Sequence, residues 1–347
     1  MRPRIAIDAM GGDVGVRVMV AGAALARHRH EDFQFLFVGD ETRIKAALAN
    51  HPNLSAASEI LHAEEIVSAD AKPSQALRNS KKTSMGMAVA AVKSGEASAA
   101  VSAGNTGALM AISKLALRTI PGIDRPALAA LLPTMKDSDV VMLDLGANAE
   151  CDSRNLVQFA VMGAAYSRII YGFEKPSVKL LNIGTEDGKG TGPVQGAADA
   201  LRKASGLALD FQGFVEADKI STGEVDVIVT DGFSGNVALK ALEGAARFVT
   251  DLLKRSFLSS LRSKIGFLIS RPATELLREH LDPNNHNGAV FLGLNGVVVK
   301  SHGSADEKGV ANAVEVAARL VEDSILGRIS EDLDKVSSLA PSEAASK

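Results

Sequence analysis

Glycine and asparagine recur in this sequence just after short apolar runs. Ile5-Ala6-Ile7-Asp8 leads into Ala9-Met10-Gly11-Gly12-Asp13, and Ala100-Val101-Ser102 leads into Ala103-Gly104-Asn105-Thr106-Gly107. Leu143-Asp144-Leu145 is followed by Gly146-Ala147-Asn148, and Leu180-Leu181-Asn182-Ile183 by Gly184-Thr185-Glu186-Asp187-Gly188-Lys189-Gly190. Val227-Ile228-Val229-Thr230 gives way to Asp231-Gly232-Phe233-Ser234-Gly235-Asn236. Glycine lets a backbone approach a ligand closely, and a following helix points its first N–H groups at an anion. Any one such turn is most simply a turn. Their recurrence, with Asn105, Asn148, Asn182 and Asn236 adding neutral donors and acceptors, is the pattern of a phosphate or oxyanion cradle.

Other chemistries find weaker footing. Gly190-Thr191-Gly192 with Gly196 imitates a dinucleotide fingerprint, but the loop from Gly184 to Thr191 is long where that motif needs a tight turn. Gly184 to Lys189 imitates a P-loop one residue short, with Gly190 where a magnesium-binding hydroxyl belongs. Ser234 lies in Gly-Phe-Ser-Gly, without the spacing of a nucleophile elbow, and reads as a helix N-terminal hydroxyl. Cys151 precedes a predicted helix whose dipole would lower its pKa; with no histidine nearby in sequence, a small structural residue is the simpler reading. The 7 histidines show no metal-ligand spacing, so no metal site is expected. His302, between Val297-Val298-Val299 and a predicted helix, is the histidine best placed to reach the glycine turns.

The elements that must hold these turns alternate. Strands are predicted over 4–8, 33–38, 98–102, 127–132, 140–145, 178–183 and 226–230, with helices over 16–28, 75–93, 106–118, 153–170 and 194–204. Apolar strands separated by helices predict an α/β fold, a mostly parallel sheet with helices on both faces. The strand carboxyl ends of such a sheet share an edge and bind ligands there, which would gather the turns into one pocket. The runs 127–132 and 140–145 have no helix between them and suggest a second subregion or an antiparallel edge. Residues 1–330 read as a single α/β catalytic unit with a helical amphipathic excursion near 240–281, and 331–347 as a last helical turn and a loose tail.

Composition narrows the function class. The chain has 347 residues, 46% hydrophobic and 23% charged, ordinary globular values that exclude a disordered or fibrous protein. A net charge of −3 argues against a general nucleic-acid binder, and the absence of Trp with only 4% aromatics argues against base-stacking platforms. One cysteine excludes an intramolecular disulfide. Arg2 and Arg4 run straight into a predicted strand without a signal-like apolar stretch, and 97–113 is too polar to span a bilayer, so a cytoplasmic protein is expected.

Taken together, the turns resemble a known family. IAIDAMGGD (5–13), HAEEIV (62–67), SAGNTGALM (102–110), GIDRPALA (122–129), LDLGAN (143–148), LLNIGTEDGKG (180–190), VTDGFSGNVALKALEG (229–244) and HGSAD (302–306) closely resemble the bacterial phosphate acyltransferases of phospholipid synthesis, over about residues 4–326. The resemblance implies a fold like isopropylmalate dehydrogenases and phosphotransacetylases, a dimer, and no cofactor. It also implies a reaction in which a long-chain acyl group passes reversibly from acyl-carrier protein to inorganic phosphate. The acyl phosphate formed would then feed a membrane glycerol-3-phosphate acyltransferase. In that chemistry phosphate is already a nucleophile, and the protein positions it and stabilises the tetrahedral oxyanion. The residues then expected to bind phosphate or substrate are Asp8, Gly11, Gly12, Asp13, Gly104, Asn105, Thr106, Asn148, Gly184 and Thr185. Lys189 would supply charge, Asn236 and His302 would serve the oxyanion or the leaving thiolate, and Asp231 would orient them. An oxidoreductase on the same fold and a non-catalytic scaffold of lipid synthesis are the alternatives.

Two surface patterns bear on partners. Leu253, Phe257, Leu261, Ile265 and Leu268 make an apolar stripe at helical spacing, flanked by Lys254, Arg255, Arg262, Lys264 and Arg271. It fits either a peripheral contact with anionic lipid or a dimer-forming helix. Lys72, Arg78, Lys81 and Lys82 form a second basic cluster, suited to an acidic carrier protein or to plain solvation.

Overall fold

The computed structural model describes residues 3–13 and 15–337. Its strands are β1 (Arg4–Asp8), β2 (Gln34–Gly39), β3 (Ser58–His62), β4 (Ala99–Ser102), β5 (Ala127–Leu132) and β6 (Val140–Leu143), then β7 (Ser177–Leu181), β8 (Asp210–Val215), β9 (Val227–Val229), β10 (Ala289–Leu292) and β11 (Val297–Lys300). The helices are α1 (Gly15–Arg29), α2 (Glu41–Leu48), α3 (Pro52–Ser55), α4 (Pro73–Asn79), α5 (Ser84–Ser94) and α6 (Thr106–Leu117), then α7 (Ser153–Tyr171), α8 (Gly192–Lys203), α9 (Gly232–Leu258), α10 (Leu261–Ile269), α11 (Arg271–Leu281), α12 (Glu307–Glu322) and α13 (Ile325–Ser337).

The strands form one 11-stranded sheet in the order β3-β2-β1-β4-β11-β10-β5-β6-β9-β7-β8. Pleating sends alternate side chains to opposite faces, so each strand feeds two cores. Ile5 and Ile7 of β1 join Phe35 and Phe37 of β2 beneath α1, α7 and α12. Ala6, Leu36 and Val38 face the other way and pack with Met85, Ala88 and Val89 of α5 and Leu109 and Ile112 of α6. Each such aliphatic or aromatic side chain contributes about 1.5–3 kcal/mol by leaving water, and the predicted two-faced α/β architecture is the result.

The direction of the strands departs from expectation. β10 runs antiparallel to both β11 and β5, and β5 antiparallel to β6. The 127–132 and 140–145 runs are thus an antiparallel pair, at the centre of the sheet rather than its edge. Beyond this reversal β6, β9, β7 and β8 are mutually parallel but oppose β1, β4 and β11. The glycine turns therefore fall into two sets, after β1, β4 and β11 and after β6, β7 and β9, and not along a single edge.

Other differences are local. The helix predicted over 75–93 is two, α4 and α5, separated at Ser80–Thr83, where Thr83 Oγ1 accepts the Gly86 N–H at 3.2 Å and starts α5 afresh. The apolar stripe is likewise broken: Ser260 caps α10 by accepting the Ser263 N–H, and α10 folds back so that Phe257 and Phe267 lie 5.2 Å apart, centroid to centroid. α10 and α11 contain no buried residue, and Leu261, Leu268 and Ile269 are 78%, 70% and 77% exposed. Among the described residues, no helix is long and apolar enough to cross a membrane.

At the C-terminus the predicted last helical turn is part of a longer helix. Residues 331–337 complete α13, where buried Asp332 pairs with Arg168 of α7 and Leu333 enters the core; residues 338–347 lie outside the described residues. Removing one partner of a buried ion pair strands the other charge. Asp332→Ala is expected to lower the unfolding free energy by about 3–5 kcal/mol, read from chemical denaturation.

Candidate active site at two sets of strand-end turns

The first set is organised by a row across three strands. Asp8 of β1 and Lys300 of β11 are both in register with Ser102 of β4, so the three side chains share a level and a face. Asp8 is 1% exposed. Ser102 Oγ donates to its Oδ2 at 2.6 Å and the Met10 N–H to its Oδ1 at 3.3 Å, while the Gly104 N–H donates to Ser102 Oγ at 3.1 Å. Burial nevertheless raises the Asp8 pKa, against those hydrogen bonds. The turns touch closely enough to need glycine: a Cβ on Gly11 would lie 2.6 Å from Asp8 Oδ2 and 2.8 Å from the Gly104 nitrogen. The Asp13 N–H donates to the Gly303 carbonyl at 2.8 Å, which ties the β1 turn to the β11 turn.

His302 and Lys300 stand on that β11 turn. Asn287 fixes it, with Nδ2 donating to Ser301 Oγ at 2.7 Å and Oδ1 accepting the His302 N–H at 2.8 Å. His302 Nδ1 lies 2.9 Å from Ser304 Oγ and accepts the Ser304 N–H at 3.3 Å, the second contact favouring a ring proton on Nε2. Burial, then the charge of Lys300, hold its pKa below the usual imidazole value. Lys300 Nζ donates to the Ala103 carbonyl at 3.2 Å and to the Ser301 carbonyl, and burial lowers its pKa to about 8.

The second set closes around Asp144, which is fully buried. Its Oδ1 accepts the N–H groups of Leu128 (3.0 Å), Gly146 (3.2 Å) and Ala147 (2.9 Å), and its Oδ2 the N–H (2.7 Å) and Nδ2 (2.9 Å) of Asn148. As with Asp8, burial raises its pKa against these bonds. The N-terminus of α9 presses on this turn so tightly that a Cβ on Gly235 would lie 1.9 Å from the Asp144 carbonyl oxygen. Asn236 is thereby brought over Gly146, whose added Cβ would be 3.6 Å from that of Asn236. Two turns further along α9, Lys240 and Glu243 are close enough for their charges to act on His302, and Lys240 also acts on Lys300. α9 therefore joins the two sets.

The structure gathers Asp8, Gly11, Gly12, Asp13, Gly104 and His302 in the first set and Asn148, Asp231 and Asn236 in the second. Several of these side chains are already committed. Asn105 caps α6 through the Ala108 N–H (2.8 Å) and holds the Ala69 carbonyl (2.7 Å), with Thr106 beginning that helix. Asn148 Nδ2 also donates to the Pro126 carbonyl at 2.7 Å. Asp231 caps α9, accepting the Ser234 N–H (2.9 Å) and hydroxyl (2.8 Å). Gly184, Thr185 and Lys189 belong to the loop after β7, on the same edge of the sheet as the turns after β6 and β9, and Lys189 is exposed. That loop bonds within itself: the Lys189 N–H donates to the Glu186 carbonyl at 3.1 Å, and Asn182 Nδ2 to the Lys189 carbonyl at 3.1 Å. Cys151 keeps its proton, its pKa pushed up to about 11 by burial and by Asp144, so the expected dipole effect is overridden.

Ser102, Asp144, Asn287, Lys240 and Lys300 escaped sequence reasoning. Asp144 and Ser102 carried the faint signal of a polar residue ending an apolar strand. Lys300 ends Val297-Val298-Val299 in the same way, a cation where a buried strand stops. Asp144→Asn would set an amide against the Asn148 N–H and Nδ2, leaving buried donors unpaired. We expect it to lower the unfolding free energy by about 3 kcal/mol, measured as a shifted denaturation midpoint.

Residues 3–328 match the model of a family described as fatty acid synthesis protein. The chain is 72% identical to a phosphate acyltransferase of Erythrobacter litoralis, over 95% of this chain and 93% of that one. It is 52% identical to a phosphate acyltransferase of Rhodospirillum centenum, over 99% and 96%. Among solved structures, a phosphotransacetylase from Streptococcus pyogenes superposes with a TM-score of 0.60 at 19% identity, over 92% of this chain and 94% of that one. The EutD phosphotransacetylase from Staphylococcus aureus does so at 0.58 and 18%, with the same coverage. These two share the fold. Identity this high along nearly the whole length places the chain among the phosphate acyltransferases of the fatty acid synthesis protein family.

Proposed function

We propose that the chain transfers a long-chain fatty acyl group from the thioester of acyl-carrier protein to inorganic phosphate, yielding acyl phosphate for phospholipid synthesis. An oxygen of HPO4²⁻ bonds to the carbonyl carbon, the C–S bond breaks, and the phosphate proton ends on the carrier sulfur. Both acyl species are activated, so the transfer is reversible. The observation that carries this reading is the placement of His302: its Nδ1 accepts the Ser304 N–H at 3.3 Å and burial lowers its pKa, both of which favour an Nε2–H donor for the carbonyl oxygen as it becomes an oxyanion. Asn236, on the first turn of α9, is a second donor. Cys151 is held as a thiol and Ser234 Oγ donates to Asp231, which favours direct attack by phosphate over an acyl-enzyme.

The donor's protein part has a docking place beside the site. Lys72 immediately precedes α4, Arg78 lies on it and Lys81 and Lys82 follow it, and Pro73 at the start of α4 lies 3.3 Å from where Gly107 would carry a Cβ. Lys82 is paired with Glu64 at 3.7 Å, and Lys72, Arg78 and Lys81 complete the cluster offered to an acidic carrier. The acyl phosphate product would be consumed by a membrane glycerol-3-phosphate acyltransferase. The apolar faces of α9, α10 and α11 fit a homodimer contact whose basic rim meets an anionic membrane, leaving the enzyme cytoplasmic and peripherally bound.

Palmitoyl-carrier protein incubated with enzyme and phosphate, then trapped with hydroxylamine, should give phosphate-dependent acyl hydroxamate. Free fatty acid independent of phosphate would make the enzyme a thioesterase instead. His302→Ala should lower kcat about 100-fold, the loss of one oxyanion donor. For the excursion, Leu261→Glu with Leu268→Glu should abolish flotation with anionic vesicles; unchanged flotation would remove this face from any lipid contact.

A further inference from the structure

We propose that Lys300 is the residue that binds the phosphate substrate, holding it where the turns after β1, β4 and β11 meet. The inference rests on the transfer reaction proposed above and names the cation it needs. Lys300 is fixed by the β-sheet itself, level with Ser102 and Asp8, and not by a mobile loop. An ammonium carries three N–H donors. The Ala103 and Ser301 carbonyls take two of them and leave the third for a ligand. Those turns converge there: a Cβ on Gly12 would lie 2.8 Å from the Ala103 Cβ and 3.0 Å from the Gly303 carbonyl oxygen.

The charges around Lys300 suit a dianion. Asp8 from β1 and Asp13 from the following turn favour its protonated form, while Lys240 from α9 opposes it. Burial holds the pKa of His302 on the same turn below the usual imidazole value, and Glu243 of α9 lies 2.8 Å from Lys240. Burial raises the pKa of Asp8, toward its neutral form, and Asp13 is the larger of the two acidic influences on Lys300. A phosphate seated against Lys300 replaces the hydration that burial removed, and so favours the ammonium over the amine. Lys189, by contrast, is an exposed lysine already free to be solvated.

This coupling supplies a test with two readouts. One is the phosphate dependence of acyl phosphate formation by the wild type, Lys300→Gln and Lys300→Arg. The other is calorimetry of inorganic phosphate binding at about pH 8.5 in two buffers of different ionisation enthalpy, a pH just above the pKa of the free site. Lys300→Gln should raise the KM for phosphate at least about tenfold while moving the KM for the acyl donor much less. Wild-type protein should take up protons as phosphate binds. Lys300→Arg should keep measurable phosphate affinity without proton uptake, because its guanidinium stays charged. Unchanged KM in Lys300→Gln, or undiminished proton uptake in Lys300→Arg, would overturn the assignment. If Lys300→Gln does not fold, by circular dichroism, the Lys300→Arg proton count decides. Wild-type protein that forms no acyl phosphate yet binds phosphate with proton uptake would defeat the transfer reading and leave Lys300 as the anion site.

Discussion

A carboxylate taken out of water must be met by N–H and O–H donors, and two such carboxylates shape everything around the site. Asp8 ends β1 and Asp144 follows β6. Each recruits donors from the turn that follows it, and each also reaches a neighbouring strand: Asp8 through Ser102, Asp144 through Leu128. Turns that wrap so closely leave no room for side chains at Gly11 or Gly235. Glycine therefore serves packing first and ligand access second. A buried charge with too few partners would be strongly destabilising, so the turns are held to one geometry.

The reversal of strand direction at β10 and β5 makes the site a joint product of both halves of the sheet. Neither half holds the complete set of groups: one carries His302 and Lys300, the other Asn236. α9 connects them, because Asp231 and Gly235 seat its start on the second set while Lys240 and Glu243 reach the first. The excursion that α9 begins returns at 282–287, where Asn284 accepts the Asp306 N–H at 3.1 Å and Asn287 braces Ser301 and His302. The exposed apolar helices are thus rooted in the site at both ends.

The division of labour at the site follows from what the substrates already supply. Phosphate needs no activation by a protein nucleophile, and Cys151 is held as a thiol. What the fold shows is position: an imidazole held beside Ser304, a buried lysine bonded to two carbonyls, and turns packed closely through glycine. Preorganised dipoles of this kind require no rearrangement as charge develops.

Sequence alone determined the α/β architecture, because strands buried on both faces read as continuous apolar runs and helices keep their period wherever they sit. It also located the glycine turns and His302, since those signals are local. Edge strands β3 and β8 escaped it, being half-exposed and weakly apolar, and so did the break between α4 and α5, which depends on where Thr83 and Gly86 pack. Tertiary structure decided which turns meet. Strand direction is a property of pairing between distant segments, so no local pattern could show that the turns fall on two opposed edges. Lys300 drew no notice in sequence because a lysine after three valines is an ordinary strand end. Only the register of β11 beside β4 buries it level with Asp8 and Ser102.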